Sequence, residues 1–159
     1  MTAAAAPDAT DQKFMAHALR LAQRAAARDE VPVGAVVVLD GTVVGSGSNR
    51  CEALGDPTAH AELVALRRAF ARTGQARLPG ATLYCTLEPC VQCAGAILHA
   101  RIARVVFGAR DPKFGGCCSL YQLLGDTRLN HRAALTEGVG AEASAALLRA
   151  FFRARRGPR

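Results

Sequence analysis

No apolar run in this chain approaches the roughly 18 residues that a membrane-spanning helix requires, so the pattern excludes a transmembrane helix and implies no membrane partner. The opening stretch, Met1 to Gln12, lacks the basic start and apolar core of a secretory signal. It is alanine-rich and carries Asp8 and Asp11. The expectation is a soluble cytoplasmic protein in which residues 1–11 form a disordered extension. Internal repeats and linkers are missing too, so residues 12–156 are expected to form one domain and 157–159 a short tail. A chain of 159 residues with 50% hydrophobic content is long enough to bury a core.

Acid is missing from the C-terminal end, where no Asp or Glu follows Glu142. Five arginines, Arg149, Arg153, Arg155, Arg156 and Arg159, fall within the last eleven residues, and without them the formal charge of +7 would be +2. Ala143, Ala146, Leu147, Ala150, Phe151 and Ala154 form an apolar stripe in the same segment, which predicts a helix docked on the core with its arginines outward. Such a basic end suits a polyanion, although a solvated helix in an arginine-biased protein has the same charge.

The remaining pattern is that of an α/β protein. Phe14, Ala18, Leu21 and Ala25 mark one face of a first helix that ends near Arg28. Val33 to Leu39 is rich in β-branched residues, and Asp40-Gly41 is a hairpin turn before Thr42-Val43-Val44. Further strands are expected at Thr82 to Thr86, Arg104 to Gly108 and Ala133 to Thr136, alternating with helices. That alternation predicts a mixed central sheet with helices on both faces.

What the chain does contain is a split ligand set: His60-Ala61-Glu62, then Glu88-Pro89-Cys90-Val91-Gln92-Cys93. A catalytic zinc takes three protein ligands and leaves a fourth position to water, and His60, Cys90 and Cys93 supply three. Two thiolates and one imidazole favour Zn2+ over harder cations. Asp56-Pro57-Thr58 reads as a helix start with Thr58 as cap, and Pro89 suits the first position of a second helix. Both ligand sets then lie in first turns. Glu62 would diverge from His60 in mid-helix, at about 100° per residue, but at a helix end both can face one site, with Glu62 placed to move protons.

A closed Cys3His site completed by Cys85, or redox chemistry at a lone CxxC, is the structural alternative, and both leave Glu62 without a role. Six cysteines without an export signal meet a reducing compartment, so Cys51, Cys85, Cys117 and Cys118 are expected as free thiols. His17, His99 and His131 are not metal candidates; His99 falls about 240° around the helix from Cys93.

The HxE and PCxxC pair is the known signature of zinc nucleobase deaminases. Val31-Pro32-Val33-Gly34-Ala35-Val36, Asp56 to Glu62, Thr86 to Ala96, Arg104 to Asp111, Leu129-Asn130-His131 and Phe151-Phe152-Arg153 together resemble the bacterial tRNA-specific adenosine deaminases of the cytidine deaminase superfamily. The resemblance covers nearly the whole chain after Asp11. It implies a three-layer α/β/α fold around a mixed five-stranded sheet. It also implies one Zn2+ per subunit on His60, Cys90 and Cys93, Glu62 as proton shuttle, and conversion of the wobble adenosine of arginine tRNA with an ACG anticodon to inosine. By the same resemblance Asn49 and the Ala61 backbone meet the base, Asp111, Lys113 and Arg153 meet the anticodon loop, and the protein is a homodimer. Taken alone, Asn49, Asp111, Lys113 and Arg153 are ordinary loop or surface positions. Pro112, Phe114 and Cys117-Cys118 depart from the family pattern. A deaminase of a free base or nucleoside, such as guanine or cytidine, and a zinc-stabilised RNA-binding subunit without catalysis are the competing functions.

Overall fold

Strand alternation sets the layers of this protein, whose computed structural model describes residues 6–156. The elements run α1 (Ala9–Ala27), β1 (Gly34–Leu39), β2 (Thr42–Ser48), α2 (Cys51–Leu54), α3 (Ala61–Thr73), β3 (Thr82–Leu87), α4 (Val91–His99), β4 (Arg104–Ala109), β5 (Ala134–Thr136) and α5 (Ala141–Arg156). The sheet order is β2-β1-β3-β4-β5, with β1 antiparallel to β2 and β3, and β3, β4 and β5 parallel.

Because successive side chains leave a strand on opposite faces, Val36, Val38, Tyr84 and Val106 pack with Phe14, Met15 and Ala18 of α1. The alternate set, Ala35, Val37, Leu83, Cys85, Val105 and Phe107, packs with α3 and α4 through Ala65, Leu66, Ala69, Ala94 and Ile97. The result is the expected α/β/α sandwich on a mixed five-stranded sheet. At Gly45 of β2 a Cβ would stand 2.3 Å from the Ala65 carbonyl oxygen, so the missing side chain lets α3 lie directly on the sheet. The hairpin is as expected, with Asp40 and Gly41 both at positive φ (51° and 74°), the arrangement that matches strand twist.

The N-terminal boundary differs from the expectation. The helix begins at Ala9, and Asp8 and Asp11 form a reciprocal capping box. Asp11 is fully buried, accepting from Arg104 at 2.7 and 2.8 Å and from the Tyr84 hydroxyl at 3.0 Å. Of two acids three residues apart that pattern reading assigned to a disordered extension, Asp8 thus caps α1 and Asp11 fastens it to β3 and β4. Residues 1–5 and the tail at 157–159 lie outside the described residues.

The last helix forms where expected but is rotated. Ser144 and Phe151 are buried, and Ala143, Ala146, Ala150 and Ala154 face outward. Ser144 Oγ donates to the Thr86 carbonyl at 2.6 Å, and this bond together with the large Phe151 ring sets the inward face against a stripe made mostly of alanines. No described helix is long and apolar enough to cross a membrane.

Candidate metal centre and adjoining cleft

His60 and Cys90 are themselves the residues that precede the two helices. His60 is the cap residue of α3, with extended backbone at φ −69° and ψ 154°, and Cys90 caps α4 at φ −74° and ψ 177°. Thr58 and Pro89, expected at the helix starts, lie outside them. Thr58 instead donates its N–H and hydroxyl to Asp56 Oδ1 at 2.8 and 2.7 Å, closing an Asx turn before His60. An extended cap residue turns its side chain past the end of the helix, and the two helix starts face each other.

The consequence is a compact donor set. The Sγ atoms of Cys90 and Cys93 lie 3.5 and 3.4 Å from His60 Nδ1. The three ligand atoms are within 4.8 Å of one another, the only such cluster of metal-binding side chains among the described residues. The Cys93 thiol holds Cys90 down at about 4, and Cys90 in turn raises His60. Donating to Cys90, then burial, pushes Cys93 up. Protons therefore hold together three groups that a soft divalent cation would hold in their place. The donors fit zinc: two sulfurs, one imidazole nitrogen and no fourth ligand. Cys85 is buried and free but outside the cluster. His99 is exposed, and His131 Nε2 sits 2.7 Å from the Ile102 carbonyl.

Glu62 is 4% exposed and lies beside the Cys93 and Cys85 thiols. Burial raises its pKa above the usual carboxylate value. A carboxylate so raised holds a proton more readily than an exposed one, which suits a group that must take up and pass on protons. Bound to His60, Cys90 and Cys93, zinc supplies a Lewis acid that brings the pKa of a water to about 7.

Asn49 follows β2 and is 8% exposed. Its Oδ1 accepts from Ala61 N at 2.8 Å, so Ala61 has no free amide and Asn49 presents only Nδ2, which bonds to no described residue. His60, Ala61, Glu62, Cys90, Cys93 and Asn49 thus form one constellation. Asp111, Lys113 and Arg153 form another. They line a cleft of about 900 Å3 between the loop after β4 and the end of α5, together with Arg110, Phe114, Arg149, Phe152, Arg155 and Arg156. No metal ligand lines it, nor does Glu62. Asp111 Oδ1 accepts from the N–H groups of Lys113 and Phe114 at 3.0 and 3.3 Å, an Asx turn that shapes the cleft wall.

Sequence reasoning missed the residue joining the two constellations. Glu88, 2% exposed, accepts from the amides of Asp111, Cys117, Cys118 and Ser119 at 2.9 to 3.1 Å, and from the Ser119 hydroxyl. Burial works against its charge, but these donors keep its pKa low. A Cβ on Gly115 would stand 2.3 Å from Glu88 Oε2, so the loop closes around the carboxylate only with glycine there. Glu30 plays a smaller version of the part, accepting from the Glu52 and Ala53 amides of α2 at 3.0 and 2.8 Å. The one signal in the sequence was an acid placed directly after a buried strand.

A soft three-ligand cluster beside a buried acid on an α/β/α sandwich defines a zinc-dependent hydrolytic deaminase. Residues 8–109 match the cytidine and deoxycytidylate deaminase zinc-binding region, and the tRNA-specific adenosine deaminase of Haemophilus influenzae is 47% identical over 157 residues, 98% of this chain and 91% of that protein. The chain belongs to the tRNA-specific adenosine deaminases of the cytidine deaminase superfamily. The namesake from Agrobacterium fabrum is 48% identical over 143 residues, 90% of this chain and 94% of its own. A solved structure from studies of A-to-I editing by tRNA:A34 deaminases at the wobble position of transfer RNA has a TM-score of 0.83 at 47% identity, covering 86% of this chain and 99% of that one. Guanine deaminase from Nitrosomonas europaea is more distant, at 25% identity and a TM-score of 0.77, with 95% and 87% covered.

Proposed function

We propose that this enzyme deaminates adenosine to inosine at the wobble position of tRNA, with arginine tRNA bearing an ACG anticodon as substrate. The observation that carries the reading is Glu62: a buried acid two residues from His60 and beside Cys93, at the rim of the metal cluster. Glu62 takes a proton from the attacking water and delivers one to ring nitrogen N1 as the oxygen bonds to C6. It then protonates the departing amine, so adenosine and water become inosine and ammonia. His60, Cys90 and Cys93 hold the zinc.

Asn49 Nδ2 is the donor for the base, and the Ala61 backbone forms the pocket wall beside it. Asp111 shapes the loop that meets the anticodon ribose and backbone, while Lys113 and Arg153 bind phosphates from the two walls of the cleft. A splayed anticodon loop suits this division, because its target base can leave the stack while neighbouring phosphates stay on the protein. The folded domain, with the Asp8 and Asp11 capping box included, acts as a homodimer in the cytoplasm.

The test is sequencing of arginine tRNA with an ACG anticodon after incubation with zinc-loaded protein, beside a Glu62→Gln control. Inosine at the wobble position with the parent alone supports the reading. Conversion of free guanine or cytidine, with tRNA untouched, would replace it.

A further inference from the structure

We infer that the outer face of α1 is a track for RNA phosphates, continuous with the cleft and serving the stem that carries the anticodon loop; this rests on the RNA-deaminase reading above. Lys13, His17, Arg20 and Arg24 follow one another at steps of four, three and four, which keeps them within an arc of about 60° on the helix. Arg28, the C-cap residue, extends the row to a length of about 22 Å.

Lys13, Arg20, Arg24 and Arg28 are exposed. Among the described residues the ion pairs are Arg104–Asp11, Arg110–Glu137 and Arg128–Asp126, so no acid neutralises the row. The acids at the start of the helix are engaged in its capping box, and Asp11 is buried against Arg104. Arg20 and Arg24, four residues apart, repel one another. Burial, and then the charges of Arg20 and Arg24 on the same face, depress His17. A row of like charge that destabilises its own helix is explained by a polyanion outside it.

Position chooses the polyanion. Arg28 Nη2 donates to Ser48 Oγ at 2.8 Å, one residue before Asn49. The Arg155 guanidinium bonds to the Asp29 carbonyl and also lines the cleft, as Val31 does. One end of the row therefore opens on the rim where the anticodon loop is proposed to lie, and the other runs away from it. An anionic membrane surface is a poorer fit, since surface-lying helices insert an apolar face and the apolar face of α1, Phe14, Met15, Ala18, Ala22 and Ala25, is buried.

The experiment measures binding of full-length arginine tRNA, and of a hairpin holding only the anticodon loop on a minimal stem, across a salt series. The proteins are the parent and the double variant Arg20→Gln, Arg24→Gln, each also assayed for deamination. Loss of two phosphate contacts should weaken full-length tRNA binding several-fold and lower the slope of log K against log salt by about 1.4 to 1.8. Hairpin affinity, kcat and melting temperature should stay at parent values. An unchanged salt slope on full-length tRNA, or an equal loss on the hairpin, would overturn the track. A parent that binds tRNA but converts no adenosine would overturn the functional reading instead, and the slope would still decide the track.

Discussion

Asn49 Oδ1 accepts the Ala61 N–H at 2.8 Å, so the side chain proposed to meet the base also caps the helix that follows His60. The two roles use different atoms and can be separated. Asn49→Ala loses both and should cost about 1–2 kcal/mol of stability with a large fall in kcat/KM. Asn49→Asp keeps an acceptor for the helix start, where an anion is favoured, but removes the amide donor. It should melt close to the parent and still lose most activity. Parent-like kcat/KM in Asn49→Asp would reduce Asn49 to a cap.

Glu62 is separable from the metal in the same way. Glu62→Gln keeps the shape of the buried side chain and all three ligands, so zinc content measured by metal analysis should equal the parent's. A lost proton shuttle should lower kcat by about 10²–10⁴. Because burial raises the pKa of Glu62, the neutral amide removes a charge that the fold disfavours, and metal-free Glu62→Gln should melt no lower than the metal-free parent. Loss of zinc together with activity would make Glu62 a structural residue.

The layers and the three ligands were legible because each depends on local spacing. The apolar, β-branched run from Val33 to Leu39, the Asp40-Gly41 turn and the Cys90–Cys93 interval all survive without knowledge of distant neighbours. What could not be read depends on partners far along the chain. Asp11 looked like part of a polar extension because Arg104 lies 93 residues away. Glu88 looked like motif padding because its donors belong to a loop folded back from Asp111 to Ser119. The inward face of α5 followed Ser144, whose partner is a strand carbonyl, and not the more numerous alanines.

The clamp around Glu88 should be sensitive to a single methyl group. In Gly115→Ala the new Cβ would meet Glu88 Oε2 and the Asp111 carbonyl at 2.3 and 2.5 Å. Neither can withdraw without breaking hydrogen bonds, so a loss of about 1–3 kcal/mol is expected. Hydrogen exchange should quicken at the Cys117, Cys118 and Ser119 amides while the α1 amides keep their protection. Equal loosening of both regions would mean that the loop is not an independent unit held by Glu88.

Acid should act on the fold through Asp11. Burial alone would raise its pKa, but hydrogen bonds from Arg104, Asp8 and Tyr84 outweigh this and hold it below its ordinary value of 3.8. A carboxylate depressed in the folded state binds fewer protons there than in the unfolded chain. Its contribution is therefore complete above the unfolded value and is lost as pH falls through the folded one. Breaking a buried pair costs about 3–5 kcal/mol, and with the Arg104 side chain 21% exposed the expectation for Asp11→Asn is nearer 2–4 at pH 7. Melting temperatures of parent and variant should stay apart from pH 7 to about pH 5, then converge below the ordinary value of 3.8 as the parent alone loses this contribution. A gap that stays constant to pH 2.5 would show that Asp11 stabilises the helix start by shape and capping, without its charge.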